Sequence, residues 1–575
     1  MRLPSAISLA LSLLLAESAL AEYHPCVLVG PDVPIPRAVS STSAFKDGIV
    51  SLKKAIADAI STGVTSYGDM DASATSFSLE IYSVHEEEPL FTYHYDAPGL
   101  ANSTDGVTKI DSDSIYRLAS ISKMLTVYTF LAAVGDVSFN EPITKYIPEL
   151  AEYAAQHSDA DEIDFIDWDS ITVGSLTSQL SGIPPQLAGS PDTDAVLKLG
   201  FPPGVPVPVY EPVPKNITDA ECPNSLGVPC DRAGVLGSIN FQHPALAPSW
   251  GPSYSNLAFV LLTYALEAIT NSSLSDLLTS EVIDPLGLNS TYYSNAPLDQ
   301  GVIPHGANIA PYALDILSAA PTGGFYSSTN DMRKIGRAIL NSTLLSPAQT
   351  NRWLKPLTFT ANDDTLVGAP WEIYKAPLPE RSVWMYTKGG DLAFYSTKIA
   401  LLPDFGIGFT YLSAGDDTAA VRDIITDIVA AIGVPAFEKA AKEEAANVYA
   451  GTYKREGSND TFVVAVDANP GLLVTKFLIN GTDVVAGFKA TGDQIRLTPT
   501  GLVSKWGARI GLKAVTTRKP TPEGAFVSNC VDWFSIGRTP IAGVSMDEFV
   551  VKVNEDRTRG VEIEARGWRV AYSRV

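Results

Sequence analysis

The stretch Ser120-Ile121-Ser122-Lys123, at the head of the apolar run Met124–Val134, carries the residue types needed for acyl transfer. A serine hydroxyl is a weak nucleophile at neutral pH and needs a base within hydrogen-bond reach. Residues three apart share one helix face, so Ser120 and Lys123 are expected side by side on a first turn, over the positive end of the helix dipole. Met124, Leu125, Val127, Tyr128, Phe130 and Leu131 surround this helix with apolar side chains, which predicts burial. Burial favours the neutral amine, and a neutral amine can accept a proton. The spacing alone is a weak signal, because it recurs at Ser43/Lys46 and Ser51/Lys54. Those two pairs fall on an amphipathic stretch with Phe45, Ile49, Leu52, Ile56 and Ile60 on one stripe, and they read as solvated-face residues.

Two further groups complete a constellation. Tyr254-Ser255-Asn256 offers a phenol and an amide at the entry of the apolar helix Leu257–Thr270. Lys388-Gly389-Gly390 offers a cation followed by glycines, and on an edge strand such glycines let a substrate backbone lie alongside. A second Tyr-x-Asn, Tyr293-Ser294-Asn295, sits beside a sequon and reads as structural.

The elements that must hold these residues follow from periodicity. A helix is predicted over Ala44–Ile60, and Phe77–Val84 with Leu90–Tyr95 reads as a hairpin. Phe201–Pro248 is proline-rich and irregular. Thr387–Phe394 and Ile399–Leu402 read as neighbouring strands, and Val421–Ile432 as the helix that closes a first domain. A boundary is expected near Gly433-Val434-Pro435, followed by a connecting helix over Phe437–Asn447. Beyond Tyr449 short strands dominate: Phe462–Val466, Leu472–Leu478, Val484–Phe488, Ile495–Leu497 and Val561–Tyr572. They predict an all-β module, a small barrel or sandwich. The division is thus a signal peptide over 1–21, a catalytic domain over 22–435 and a β-rich domain over 436–575.

Composition narrows the function. The chain has 575 residues, 45% of them hydrophobic, and a formal net charge of −23. That length buries a large core, and that charge argues against nucleic-acid binding, which needs a basic face. Arg2, the apolar Ile7–Leu15 and the small-x-small Ala19-Leu20-Ala21 form a secretory signal, so the mature protein is expected to be extracellular. No later run is long and apolar enough to span a bilayer; Leu257–Ile269 comes nearest, is short and carries Glu267. The four cysteines, Cys26, Cys222, Cys230 and Cys530, should pair in a secreted chain. Three pairings are possible in principle; Cys222 and Cys230 are close enough in sequence to close one loop, and Cys26 with Cys530 would then tie the mature N-terminus to the C-terminal region. Sequons at Asn102, Asn216, Asn271, Asn289, Asn341, Asn459 and Asn480 agree with a eukaryotic secretory route. The six histidines form no zinc-binding arrangement, and no metal or other cofactor is expected. There is no G-x-S-x-G elbow, which argues against an α/β-hydrolase.

The order and context of these motifs resemble the serine β-lactamase and penicillin-binding-protein superfamily, in its class C and esterase branch. Arg117–Lys123 matches the nucleophile motif and its lead-in. Leu176–Pro184 is similar to a further family segment, as are Ser253–Leu262, Pro285–Leu288, Pro321–Met332 and Ile399–Gly406. Lys388-Gly389-Gly390 stands where the family has K-T-G or H-x-G. The whole chain resembles a secreted fungal β-lactamase-like group. The resemblance implies an α/β (α+β) fold, an antiparallel sheet flanked by helices. It also implies roles: Ser120 as nucleophile, Lys123 and Tyr254 sharing the proton work, Asn256 orienting Lys123 or the substrate amide, and Lys388 keeping Tyr254 acidic and attracting anions. The backbone N–H groups of Ser120 and Asp391 would form the oxyanion hole, leaving the Asp391 side chain free to vary. Gly389 replaces a threonine that helps hold a β-lactam carboxylate. The expected activity is hydrolysis of a β-lactam, an ester or a small amide or peptide through an acyl-enzyme. An acyltransferase, or a binding protein on the same scaffold, is the alternative, and the oligomeric state is left open.

Overall fold

The structure, a computed structural model, describes residues 26–185, 231–240, 242–304, 309–490, 493–517, 526, 530 and 532–575. They fall into two compact units. One comprises residues 46–377 and 384–434; the other joins the chain up to Phe45, the loop Leu378–Val383 and Pro435–Val575.

In the first unit the strands Thr75–Ser83 (β1), Phe91–Tyr95 (β2), Thr358–Phe359 (β3), Thr365–Val367 (β4), Glu372–Lys375 (β5), Trp384–Leu392 (β6), Tyr395–Leu402 (β7) and Ile407–Gly415 (β8) form one sheet. Its order is β2-β1-β8-β7-β6-β5-β4-β3, and every pairing is antiparallel. All nine residues of β1 and of β8 are buried, so both faces of these strands are covered. The expected hairpin is β1–β2, paired from Phe77↔Tyr95 to Ile81↔Phe91.

Helix α1 spans Ser43–Thr62 and buries Phe45, Leu52 and Ile56 of its predicted stripe. Helix α2 spans Ser122–Val134 and is buried from Ser122 to Leu131. The apolar α3 (Leu257–Thr270) is buried from Leu257 to Leu266, as a core helix. Among the described residues no single helix is long and apolar enough to cross a membrane. Helices α4 (Thr329–Leu340) and α5 (Thr418–Ile428) pack against the sheet at β8. Helix α6 (Val434–Tyr449) opens the second unit.

In that second unit the strands are Gly451–Lys454 (β9), Thr461–Ala465 (β10), Leu472–Ile479 (β11), Gln494–Val503 (β12), Arg509–Thr517 (β13), Glu548–Val553 (β14), Gly560–Ala565 (β15) and Val570–Arg574 (β16). They pair in the order β10-β9-β16-β15-β14-β13-β12-β11, and β11 then pairs with β10, closing an eight-stranded barrel. Phe462, Phe477, Phe549 and Tyr572 meet inside it, with ring centres 5.1 to 6.2 Å apart. The segment read as a strand at Val484–Phe488 is instead a short helix, Val484–Lys489, because the Asp483 carboxylate accepts from the Val485 and Ala486 amides and caps its first turn. The single strand expected over Val561–Tyr572 is a hairpin, β15 and β16, paired Ala565↔Val570. Cys26 and Cys530 are joined by a disulfide. Cys222, Cys230 and Asn216 lie outside the described residues.

Candidate active site

Ser120 is not on the first turn of α2 but one step earlier, in a tight 3₁₀ turn over Ala119–Ile121. Ala119 enters that turn at φ 48°, a left-handed conformation costly for a residue with a Cβ. The surroundings impose it. Leu118 donates its N–H to Phe325 O at 2.8 Å and accepts at its carbonyl from Thr397 Oγ at 2.7 Å, while Ser122 Oγ accepts from the Phe325 amide at 3.0 Å. The turn is thus pinned on one side by β7 and on the other by the segment before α4.

Lys123 lies directly beneath. Its Nζ is 3.0 Å from Ser120 Oγ and 2.7 Å from Thr322 O. The side chain is fully buried, and that burial holds its pKa well below the ordinary lysine range. The charge of Lys388 pushes it further down, and Glu372 works the other way. A neutral amine there has an N–H for Thr322 O and a lone pair for the Ser120 hydroxyl proton. Among the described residues the second partner of Lys123 is therefore Thr322 and not Asn256.

Tyr254 is carried on a loop fixed by the segment ending Gln179–Pro185. Ser253 N–H donates to Gln179 O at 2.8 Å and Asn256 N–H to Pro185 O at 2.8 Å. Ser255 N–H donates to Gln179 Oε1 and Ser255 Oγ to Pro184 O, both at 2.7 Å. The phenol ring, 43% exposed, has Lys123 Nζ 5.0 Å and Lys388 Nζ 5.3 Å from its centre.

Lys388 belongs to β6. This strand pairs with β5 only as far as Thr387↔Glu372, so from Lys388 onward one edge faces the cleft. Burial works against the charge on Lys388, but Glu372 and the Tyr254 phenol outweigh it and hold the pKa above its usual value. The Glu372 carboxylate spans this edge, accepting from Lys388 Nζ at 2.5 Å and from the Gly389 amide at 3.0 Å. Strand alternation then aims the Asp391 N–H, two residues on, at the same edge. Gly390 is where β6 meets the Ser120 turn: a Cβ there would stand 2.5 Å from Leu118 O and 2.7 Å from the Ser120 N atom. Gly389 is different, for a Cβ there would make only ordinary contacts, the nearest at 3.6 Å. The Asp391 side chain is held by Arg422 at 2.6 Å and Ser396 Oγ at 2.7 Å.

The cleft has a volume of about 480 Å³ and brings Ser120, Tyr254, Asn256, Lys388, Gly389, Gly390 and Asp391 to one surface. A neighbouring hollow of about 570 Å³ shares Tyr374, Lys398 and Asp423 with it. Four contributors escaped sequence reading. Thr322, Gln179 and Arg422 lie inside or beside recognised segments but carry no motif of their own. Glu372 is near Lys388 only through the β5–β6 register, which no local spacing reveals.

An antiparallel sheet flanked by helices, with a Ser-x-x-Lys turn lying against a Lys-Gly-Gly strand, defines the β-lactamase and penicillin-binding-protein class of fold. The Beta-lactamase family model matches residues 81–433, and the chain belongs to that family. A second model, described as "Beta-lactamase-like-like, C-terminal domain", matches residues 441–575. The chain is similar to a "Beta-lactamase-like protein" of Arthroderma benhamiae, at 28% identity over 96% of each chain. It is also similar to "Probable hydrolase M10" of a Phoma species, at 27% identity over 92% of this chain and 84% of that one. Similarity to the D-alanyl-D-alanine-carboxypeptidase/endopeptidase AmpH of Escherichia coli is 24% identity over 52% of this chain and 70% of that one. A crystal structure of D-alanine carboxypeptidase AmpC from Burkholderia cenocepacia superposes with a TM-score of 0.46 at 16% identity, covering 67% of this chain and 98% of that one.

Proposed function

We propose that the protein is a secreted serine hydrolase that forms an acyl-enzyme on Ser120 with an ester, a β-lactam or a small amide. The observation that carries this reading is the buried, pKa-lowered Lys123 amine 3.0 Å from the Ser120 hydroxyl. In this reading the neutral amine takes the hydroxyl proton as Oγ attacks the carbonyl, a contribution typically of about 10²–10⁴-fold. The carbonyl oxygen, becoming negative, is received by the Ser120 and Asp391 amides. Tyr254, with Lys388 beside it, gives its phenolic proton to the leaving group; the phenolate then takes a proton from the water that attacks the acyl carbonyl, and the Lys123 ammonium returns its proton to Ser120 Oγ as the acyl–oxygen bond breaks and the acid leaves. The hydrolase names of the Phoma relative and of AmpH support the reaction class. The Asn side chains of the six described sequons belong to exposed residues, and the Cys26–Cys530 disulfide suits an oxidising compartment; both support passage through the secretory route.

The test is covalent labelling of the full chain with a fluorophosphonate, read by intact mass. Wild type is expected to gain one adduct, mapped to Ser120, and Ser120→Ala none. Unlabelled wild type, with no turnover of p-nitrophenyl esters, nitrocefin or D-amino-acid amides, would leave a binding protein as the better reading.

A further inference from the structure

We propose that Glu372 is a specificity-determining residue: its carboxylate fills the anion position of the cleft and restricts the site to acyl groups that carry no carboxylate there. The inference deepens the hydrolase reading of the Ser120 site and rests on it.

The geometry of Glu372 is that of a bound anion. One oxygen meets an ammonium and the other a strand-edge amide, Lys388 Nζ at 2.5 Å and Gly389 N at 3.0 Å. An ammonium has three donors. Lys388 gives one to Glu372 and one to Gly389 O at 2.7 Å, and the Tyr254 ring lies beside the same ammonium, its centre 5.3 Å away. Its side chain is only 2% exposed, so an incoming carboxylate reaches it only by displacing Glu372. The charge that the sequence offers to an anionic substrate is already neutralised.

The remaining cations of the cleft are committed in the same way. Arg422 is paired with Asp391 at 2.6 Å and with Asp423 at 2.8 Å, and Lys398 stands 3.6 Å from Asp423. Lys388, Lys398 and Arg422 are thus matched by Glu372, Asp391 and Asp423 around one cleft. Glu372 itself is 32% exposed and faces any entering substrate. A substrate carboxylate on that edge would meet a like charge, and such a clash is a standard means of rejecting a ligand.

The test compares two matched substrates, p-nitrophenyl butyrate and the mono-p-nitrophenyl ester of succinic acid, on full-length wild type and Glu372→Gln. Wild type is expected to favour the neutral ester by about 100-fold in kcat/KM, from like-charge repulsion. Glu372→Gln should reduce that preference at least tenfold, mainly through the KM of the anionic ester, with Glu372→Ala behaving alike. A preference within twofold of wild type in both variants overturns the proposal. A second measurement needs no chemistry at Ser120: calorimetric binding of butyrate and of succinate to Ser120→Ala and to Ser120→Ala with Glu372→Gln. Gain of saturable succinate binding in the double variant supports the proposal, and its absence overturns it. Were that binding found while wild type gave no Ser120 adduct, the hydrolase reading would fail and the anion position would stand.

Discussion

The sharpest test of the base is to change its electrostatic neighbours and leave Lys123 itself alone. Lys123 Nζ and Lys388 Nζ lie 5.0 and 5.3 Å from the same Tyr254 ring centre, so they are no more than about 10 Å apart. Two like charges at that separation repel by about 1.7 kcal/mol at an effective dielectric of 20, which is roughly 20-fold in the ratio of neutral to charged amine. Lys388→Met removes a positive charge and keeps most of the volume. The charged form of Lys123 then becomes easier to hold, its pKa rises, and the acid limb of the rate profile moves to higher pH. Below that limb the variant should acylate roughly 20-fold more slowly than wild type at equal pH. Glu372→Gln has the opposite sign. Glu372 favours the charged form of Lys123, so its loss moves the same limb to lower pH. The assay is the pseudo-first-order rate of Ser120 modification by a fluorophosphonate across the acid-to-neutral range, with circular dichroism to confirm folding. Limbs that move together, or stay where they are in both variants, would refute Lys123 as the titrating base.

Two further outcomes follow from the packing. Lys123→Met should lower kcat/KM by about 10²–10⁴-fold while the melting temperature holds or rises. The burial cost of an amine disappears, which offsets the lost acceptor contact at Thr322 O; thermal denaturation beside a rate measurement checks both. Gly390→Ala forces a Cβ to within 2.5 Å of Leu118 O and 2.7 Å of Ser120 N, and should lower kcat/KM by about 100-fold, the scale of losing an oxyanion donor, with secondary structure intact. Gly389→Ala, whose Cβ makes only contacts at ordinary distance, with Glu372, Thr397 and Lys398, should cost at least tenfold less in the same assay.

How much of this was legible in the chain depended on whether the information was local. The Ser120/Lys123 pair needed only helical spacing, and its burial followed from the apolar residues after it. The 3₁₀ turn was not legible, because Ala119 is held left-handed by Phe325, Thr397 and Gly390, all far away in sequence. Val484–Phe488 misled because a short apolar run fits strand or helix equally well, and the deciding signal was the capping carboxylate of Asp483 just before it. Gly389 and Gly390 read as one motif with one purpose. In three dimensions only Gly390 of the two meets a hard steric limit, since it lies against the Ser120 turn.

Glu372 shows why a motif can name the right residues and still misstate their state. From sequence Lys388 is a free positive charge, and a free positive charge invites an anion. Its chemistry changes when β5 pairs with β6 and Thr387 takes Glu372 as its partner, for that register delivers a carboxylate to the ammonium. The same contact reaches the base: Glu372 and Lys388 act on Lys123 with opposite signs, so a nearly neutral pair sits beside an amine whose own burial then dominates its titration. On the proposed reading, substrate choice and base strength are therefore coupled through one side chain. On that reading a change at 372 that admits anionic acyl groups also shifts the pH at which Ser120 is activated, so one pH profile of the Glu372→Gln variant on both esters reads the two effects together.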